Sequence, residues 1–172
     1  MASLMENLID ILEKECKEYE NLLQLSNAKT PIIISGDLEE LARITDEEQI
    51  VVSRINHIEK DREVAFKDIA NVINKDVNTL KLGDLVDMLS NRPQEQKKLA
   101  KVHDELKLVV HSVKNVNSQN RELIQNAMEM VEFNLNILQA SKAAPETANY
   151  NRGAYNVGMQ MGLNQKGFDA KQ

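Results

Sequence analysis

Apolar residues recur at intervals of three and four positions in the first part of the chain. From residue 3 to about residue 26, Leu and Ile alternate in this way with Glu and Lys. The spacing places the apolar side chains on one face of an α-helix, and so predicts a first amphipathic helix. Pro31, three consecutive isoleucines and the sequence Ser35-Gly36-Asp37 then interrupt the pattern. This interruption predicts a loop of about ten residues.

The second periodic segment is long and begins at a helix-capping sequence. Asp37 is followed three positions later by Glu40, as in a capping box, and the apolar period continues to Ile73 without Pro or Gly. A helix of about 36 residues would be roughly 55 Å long, so it needs packing partners along its whole length. Residues 83–90 then predict a short connecting helix, and Pro93 is well placed to open the last helix.

The last helix carries a heptad seam, in which apolar positions alternate in steps of three and four. The seam runs from Leu99 to Ile137 and includes two polar residues, Asn120 and Asn134. A buried Asn fixes the register of packed helices at a cost in stability, whereas an Asn at the edge of the seam is simply hydrated. The sequence is compatible with either position for both residues.

A second apolar stripe lies beside this seam near the end of the helix, displaced from it by one residue. One neighbouring helix covers one stripe, so a doubled face needs a second covering surface. Another helix of the same bundle or a helix of a partner protein would supply it. The methionines favour the partner, because thioether side chains adapt to foreign surfaces. The candidate partner-binding residues are therefore Leu123, Ile124, Ala127, Met128, Met130, Val131, Leu135 and Leu138.

The composition changes beyond Ala143, where Asn, Gly, Gln and Ala dominate and the apolar period ends. This change predicts a helical domain over residues 1–143 and a tail over residues 144–172 that is disordered when alone. The tail nevertheless contains aromatic side chains that a simple spacer does not need. Its candidate docking residues are Tyr150, Tyr155 and Phe168.

The overall composition favours helices that pack side by side. Aromatic residues make up only 3% of the chain, and Leu, Ile, Val and Met supply the apolar mass. The expected fold is all-α: an elongated antiparallel helical bundle or coiled coil of three main helices, with a short connecting helix and a flexible C-terminal tail. Acidic residues outnumber basic ones by 27 to 21, which argues against nucleic-acid and anionic-membrane partners.

Signals for membrane insertion or secretion are also missing from the sequence. No window approaches the roughly 18 consecutive apolar residues of a membrane span, and the N-terminus lacks the basic and apolar regions of a signal peptide. We therefore expect a cytoplasmic protein.

The sequence offers few residues from which a catalytic or metal site could be built. Cys16 is the single cysteine, and none of the 3 histidines follows a Glu at the spacing used in di-iron bundles. Phosphate-binding, zinc-protease and serine-hydrolase motifs are absent. Acidic residues lie between the apolar positions, as on a solvated helix face. We expect a non-enzymatic protein without a cofactor or a metal.

Several sequence features occur together in an order that is typical of one protein family. The first helix has the pattern L-x-x-I-L-x-x-E from Leu8 to Glu15. Four further segments follow in order: Gly36-Asp37-x-x-x-Leu41-x-x-Ile44-Thr45, Ile58-Glu59-x-x-Arg62, Asn117-x-x-Asn120-x-x-Leu123-Ile124 and the closing Phe168-Asp169-Ala170-Lys171. The chain resembles the flagellar export chaperones of the FlgN family, particularly those of Gram-positive bacteria.

The resemblance implies a cytoplasmic chaperone that binds hook-associated proteins of the hook-filament junction and delivers them to the flagellar type III export apparatus. In this family the substrate contact lies toward the C-terminal part of the chain, and the matching region here runs from Leu123 to Leu138. A tyrosine near the end of such chaperones docks on the export gate, and Tyr150 and Tyr155 are the candidates. The alternative is a self-associating coiled-coil scaffold or adaptor. A homodimer is compatible with both interpretations.

Overall fold

The computed structural model describes residues 2–143. They form three long helices, one short helix and the segments that connect them. The helices are α1 (Ala2–Ser35), α2 (Leu38–Ile73), α3 (Leu82–Met88) and α4 (Pro93–Ala143), with a 3-10 turn over Leu89–Asn91 before α4. These residues contain no strand. The all-α class, the three main helices and the short connecting helix are therefore confirmed. The predicted tail lies outside the described residues, together with Tyr150, Tyr155 and Phe168.

α1 continues through the segment that the sequence predicts as a loop, so that prediction is wrong. Pro31 lies inside the helix. A proline removes one helical hydrogen bond, and contacts with other helices compensate for this loss. Ser26 and Lys29 both donate to the carboxylate of Glu48 in α2, at 2.9 and 2.8 Å. Ile33 is buried beyond the proline. Tertiary packing thus overrides the local signal for a loop.

Gly36 and Asp37 form the tight connection between α1 and α2. Gly36 has a φ of +72°, and its N–H donates to the carbonyls of two residues in the last turn of α1. This left-handed glycine ends the helix. Asp37 then caps α2, because its Oδ1 accepts a hydrogen bond of 3.0 Å from the N–H of Glu40. Of the two hydrogen bonds in the predicted capping box, the one accepted by the Asp37 side chain is therefore present. The carboxylate of Glu40 forms an ion pair with Arg43.

The chain divides into two units, Met1–Met128 and Glu129–Gln172. In the first unit, ion pairs show that α1 and α2 are antiparallel, since the partners occur in opposite order along the two helices. α4 runs parallel to α1 in this unit, because Cys16 lies near Val102 and Ser26 bonds to Asn120. The ion pairs between α1 and α2 are Glu15 with Arg62, Glu18 with Arg54, and Lys29 with Glu48.

The core of the first unit contains side chains from all four helices. Leu8, Leu12, Ile69, Leu85 and Leu99 are completely or almost completely removed from solvent. The heptad seam of α4 supplies its share of this core, as predicted, through Leu99, Val102, Leu106, Val109 and Val113. Burial of these side chains is the main favourable contribution to folding.

Glu15 is a carboxylate buried in this core, with 1% of its side chain exposed. Arg62 donates from Nη1 to both of its carboxylate oxygens, at 2.8 and 3.0 Å. Removal from water raises the pKa of Glu15, and the nearby Arg62 offsets only part of this effect. The hydroxyl of Tyr19 donates to Glu59 at 3.3 Å and extends the polar contacts between α1 and α2.

Candidate partner-binding surface

Asn120 is the last buried position of α4 among the described residues. Its side chain is 4% exposed. The Nδ2 group donates to the carbonyl of Ser26 at 2.8 Å, and Oδ1 accepts from the hydroxyl of Thr30 at 2.7 Å. Asn134, the second polar residue of the seam, is exposed. The buried interpretation thus applies to Asn120 and the exposed interpretation to Asn134.

The first four candidate partner-binding residues lie at the end of the first unit. Leu123 and Ile124 are half-buried, and Ala127 is exposed. Met128 has 61% of its surface accessible. The side chains of the seam therefore become exposed to solvent within about two helical turns after Asn120.

In the second unit the described residues are the last turns of α4, and their large apolar side chains are all exposed. The other four candidates, Met130, Val131, Leu135 and Leu138, are between 51% and 67% exposed. Phe133 and Ile137 were not among the candidates, yet they are 64% and 50% exposed. We call the six side chains together the α4-end surface: Met130, Val131, Phe133, Leu135, Ile137 and Leu138.

The α4-end surface covers more than half of the circumference of the helix. At about 100° per residue its six side chains occupy an arc of roughly 200°. The opposite side carries the polar residues Glu129, Glu132, Asn136 and Gln139. Such an arc is about twice as wide as the stripe by which a surface helix normally packs on one neighbour.

Phe133 could have been found from the sequence by the same spacing rule as the other stripe. Met130, Phe133 and Ile137 follow one another in steps of three and four, which places them along one line of the helix. The second stripe predicted from the sequence lies on the opposite side of the seam from Phe133. The predicted surface therefore omits Phe133, which is the aromatic residue within residues 129–143.

The geometry of the α4-end surface supports binding through apolar contact and provides no reactive group. Elsewhere in residues 2–143, His57 and His111 are exposed, and His103 contacts Asp104 at 3.2 Å. No group of three or more potential metal ligands occurs within the described residues. Cys16 is buried in the core, and this burial raises the pKa of its thiol. A raised pKa disfavours the reactive thiolate form.

None of the helices within residues 2–143 is both long enough and apolar enough to cross a bilayer.

Comparison with known proteins gives two matches. A family model described as FlgN protein matches residues 1–156. The uncharacterized protein YvyG of Bacillus subtilis (strain 168) is 26% identical over 144 residues, which cover 84% of this chain and 83% of that protein. No solved structure matches the chain significantly.

Proposed function

Because the chain belongs to the FlgN family, we propose that it is a cytoplasmic chaperone for the hook-associated proteins of the hook-filament junction. The family is associated with flagellar export chaperone function. We propose further that this chain binds its clients through the α4-end surface and delivers them to the flagellar export apparatus. The observation that carries it is the α4-end surface, whose six large apolar side chains are each at least half exposed.

Exposed apolar side chains in one run are typical of a protein-binding surface. A monomeric soluble protein rarely leaves a contiguous apolar patch uncovered, since such a patch promotes aggregation. Full burial of a Leu, Phe or Met side chain contributes about 1.5–3 kcal/mol. Several such side chains together can offset the roughly 4–15 kcal/mol that association costs. An amphipathic client helix would supply the covering surface.

We propose that this function involves neither catalysis nor a bound cofactor. The family assignment supports a binding protein, and so do the six exposed apolar side chains of the α4-end surface. The excess of acidic over basic residues, 27 against 21, argues for protein partners over nucleic acid.

A pair of matched valines tests the proposed surface. Val131 in the α4-end surface and Val64 in α2 are almost equally exposed, at 58% and 56%. Val131→Asp should weaken binding of a purified hook-associated junction protein by about tenfold or more, because it places a charge in an apolar contact. Val64→Asp should leave binding within about twofold, since it lies outside the contact. Isothermal titration calorimetry measures both affinities.

Stability controls accompany this test. Val131→Asp and Val64→Asp should both unfold close to the parent chain in urea, because neither side chain is in the core. Val109→Asp puts a charge at a buried position. It should therefore lower the free energy of unfolding strongly, and any loss of client binding should follow from unfolding. Equal affinities for the Val131 and Val64 variants would remove the α4-end surface from the client site. Self-association without binding of any junction protein would favour a coiled-coil scaffold.

A further inference from the structure

The α4-end surface consists of two apolar flanks with a polar residue between them. The first flank contains Met130, Phe133 and Ile137, and the second contains Val131, Leu135 and Leu138. Asn134 lies between the flanks and is exposed. On a helix with about 100° per residue, each flank covers roughly 60° and Asn134 sits near the centre of the whole arc.

Each flank has the spacing of a stripe that packs against one helix. The first flank advances in steps of three and four, and the second in steps of four and three. These are the intervals by which helices pair along a seam. A single straight helix placed on one flank would leave the other flank in water, because the two point in different directions from the axis of α4.

We propose that one client molecule presents two helices to the α4-end surface, one on each flank. This inference rests on the proposed function above and specifies the kind of client that the surface fits. In the complex, the two client helices and the end of α4 form a three-helix unit. The apolar face of each client helix covers one flank.

The area of the α4-end surface distinguishes this arrangement from simpler ones. Six side chains that are half to two-thirds exposed offer roughly 600 Å² to a partner. Specific interfaces bury about 1,200–2,000 Å² when both partners are counted. Two client helices that cover both flanks reach the lower end of this range. One client helix on one flank reaches only about half of it, and so does a symmetric pairing of two copies of this chain through one flank.

Charged and polar residues around the flanks define the client helices further. Glu129 lies beside the first flank and Glu132 beside the second, on the outer edge in each case. Basic residues at the outer edge of each client helix would complement them. Asn134 faces the line along which the two client helices meet, so a polar residue there would provide a hydrogen-bond partner.

The test uses the full chain and two separate peptides, each corresponding to one amphipathic helical segment of the same hook-associated junction protein. Calorimetry should show that both peptides bind at the same time, one of each per chain. Phe133→Asp should lower the affinity for one peptide by about tenfold and leave the affinity for the other within about twofold. Leu135→Asp should have the reverse effect on the two affinities. Both positions are exposed, so circular dichroism should show unchanged helix content.

Three outcomes would overturn the two-helix inference: the peptides displace each other, both substitutions weaken the same peptide, or the intact client depends on one flank only. A doubled mass of the free chain that is lost in either flank variant would also overturn it, since a second copy would then cover the surface. In the first three cases the chaperone function stands, because a client still binds. Failure of the intact client and of both peptides to bind would contradict the proposed function itself.

Discussion

The buried side chain of Asn120 offers a direct measure of what holds α4 against α1. Asn120→Ala removes one hydrogen bond to the carbonyl of Ser26, of 2.8 Å, and one from the hydroxyl of Thr30, of 2.7 Å. Each bond contributes about 1 kcal/mol net to stability. The Thr30 hydroxyl retains a weaker contact with the Ser26 carbonyl at 3.4 Å, so the loss is partly compensated. Including the small cavity, we expect the free energy of unfolding to fall by about 2–3 kcal/mol.

Asn117→Ala is the matched control for this substitution. Asn117 lies one turn earlier on α4 and is exposed, and it makes no hydrogen bond through its side chain within the described residues. The change in helix propensity is the same in both variants, so their difference reports the buried contacts. Asn117→Ala should change the free energy of unfolding by no more than about 0.5 kcal/mol. Urea titrations followed by circular dichroism measure both free energies of unfolding. The dependence of this free energy on urea concentration should be the same in both variants.

A double-mutant cycle separates the hydrogen bond from the cavity. Thr30→Val combined with Asn120→Ala should show a coupling energy of about 1 kcal/mol between the two positions. Equal losses in the Asn120 and Asn117 variants would refute the reasoning. A coupling near zero would assign the loss to the hydrogen bond with the Ser26 carbonyl and to packing, without a contribution from Thr30.

Two further predictions concern Glu15 and the turn glycine. Burial raises the pKa of Glu15 above its ordinary value of 4.5, so the stability linked to this carboxyl is complete below pH 4.5 and is lost as the pH rises through the folded-state pKa. Glu15→Gln should therefore flatten the fall in unfolding free energy above pH 4.5 in urea titrations, and an unchanged slope would contradict the assignment. Gly36→Ala should destabilise the chain by about 1 kcal/mol because of its positive φ, whereas Gly83→Ala in α3 should be neutral or stabilising. A higher melting temperature for the Gly36→Ala variant than for the Gly83→Ala variant would argue against the left-handed turn at Gly36.

Helix boundaries could be predicted where local signals agreed with each other. α2 begins after Asp37 and α4 begins at Pro93, because a cap or a proline coincides there with the start of an apolar period. The end of α1 could not be predicted in this way. The residues around Pro31 favour extended structure locally, and the helix is held by Glu48 of α2 and Asn120 of α4. Such contacts between residues distant in the chain leave no local signal.

The candidate surface could be located from the sequence, but its exposure could not. The doubled stripe near the end of α4 has the same spacing whether another helix of the bundle or a partner protein covers it. Only the structure distinguishes half-buried Ile124 from exposed Val131. The observed surface is also wider than the predicted one, because Phe133 extends it on the side away from the predicted stripe.

Residues that stabilise the fold and residues proposed to bind clients occupy different stretches of α4. Among the described residues of α4, buried positions end at Asn120, and every large apolar side chain from Met128 to Leu138 is at least half exposed. A side chain that remains in water contributes little to folding and increases the risk of aggregation. Stability alone therefore gives no reason for these residues to be apolar, whereas binding of an amphipathic helix does. It follows that substitutions in the α4-end surface should change client affinity while leaving the urea midpoint unchanged.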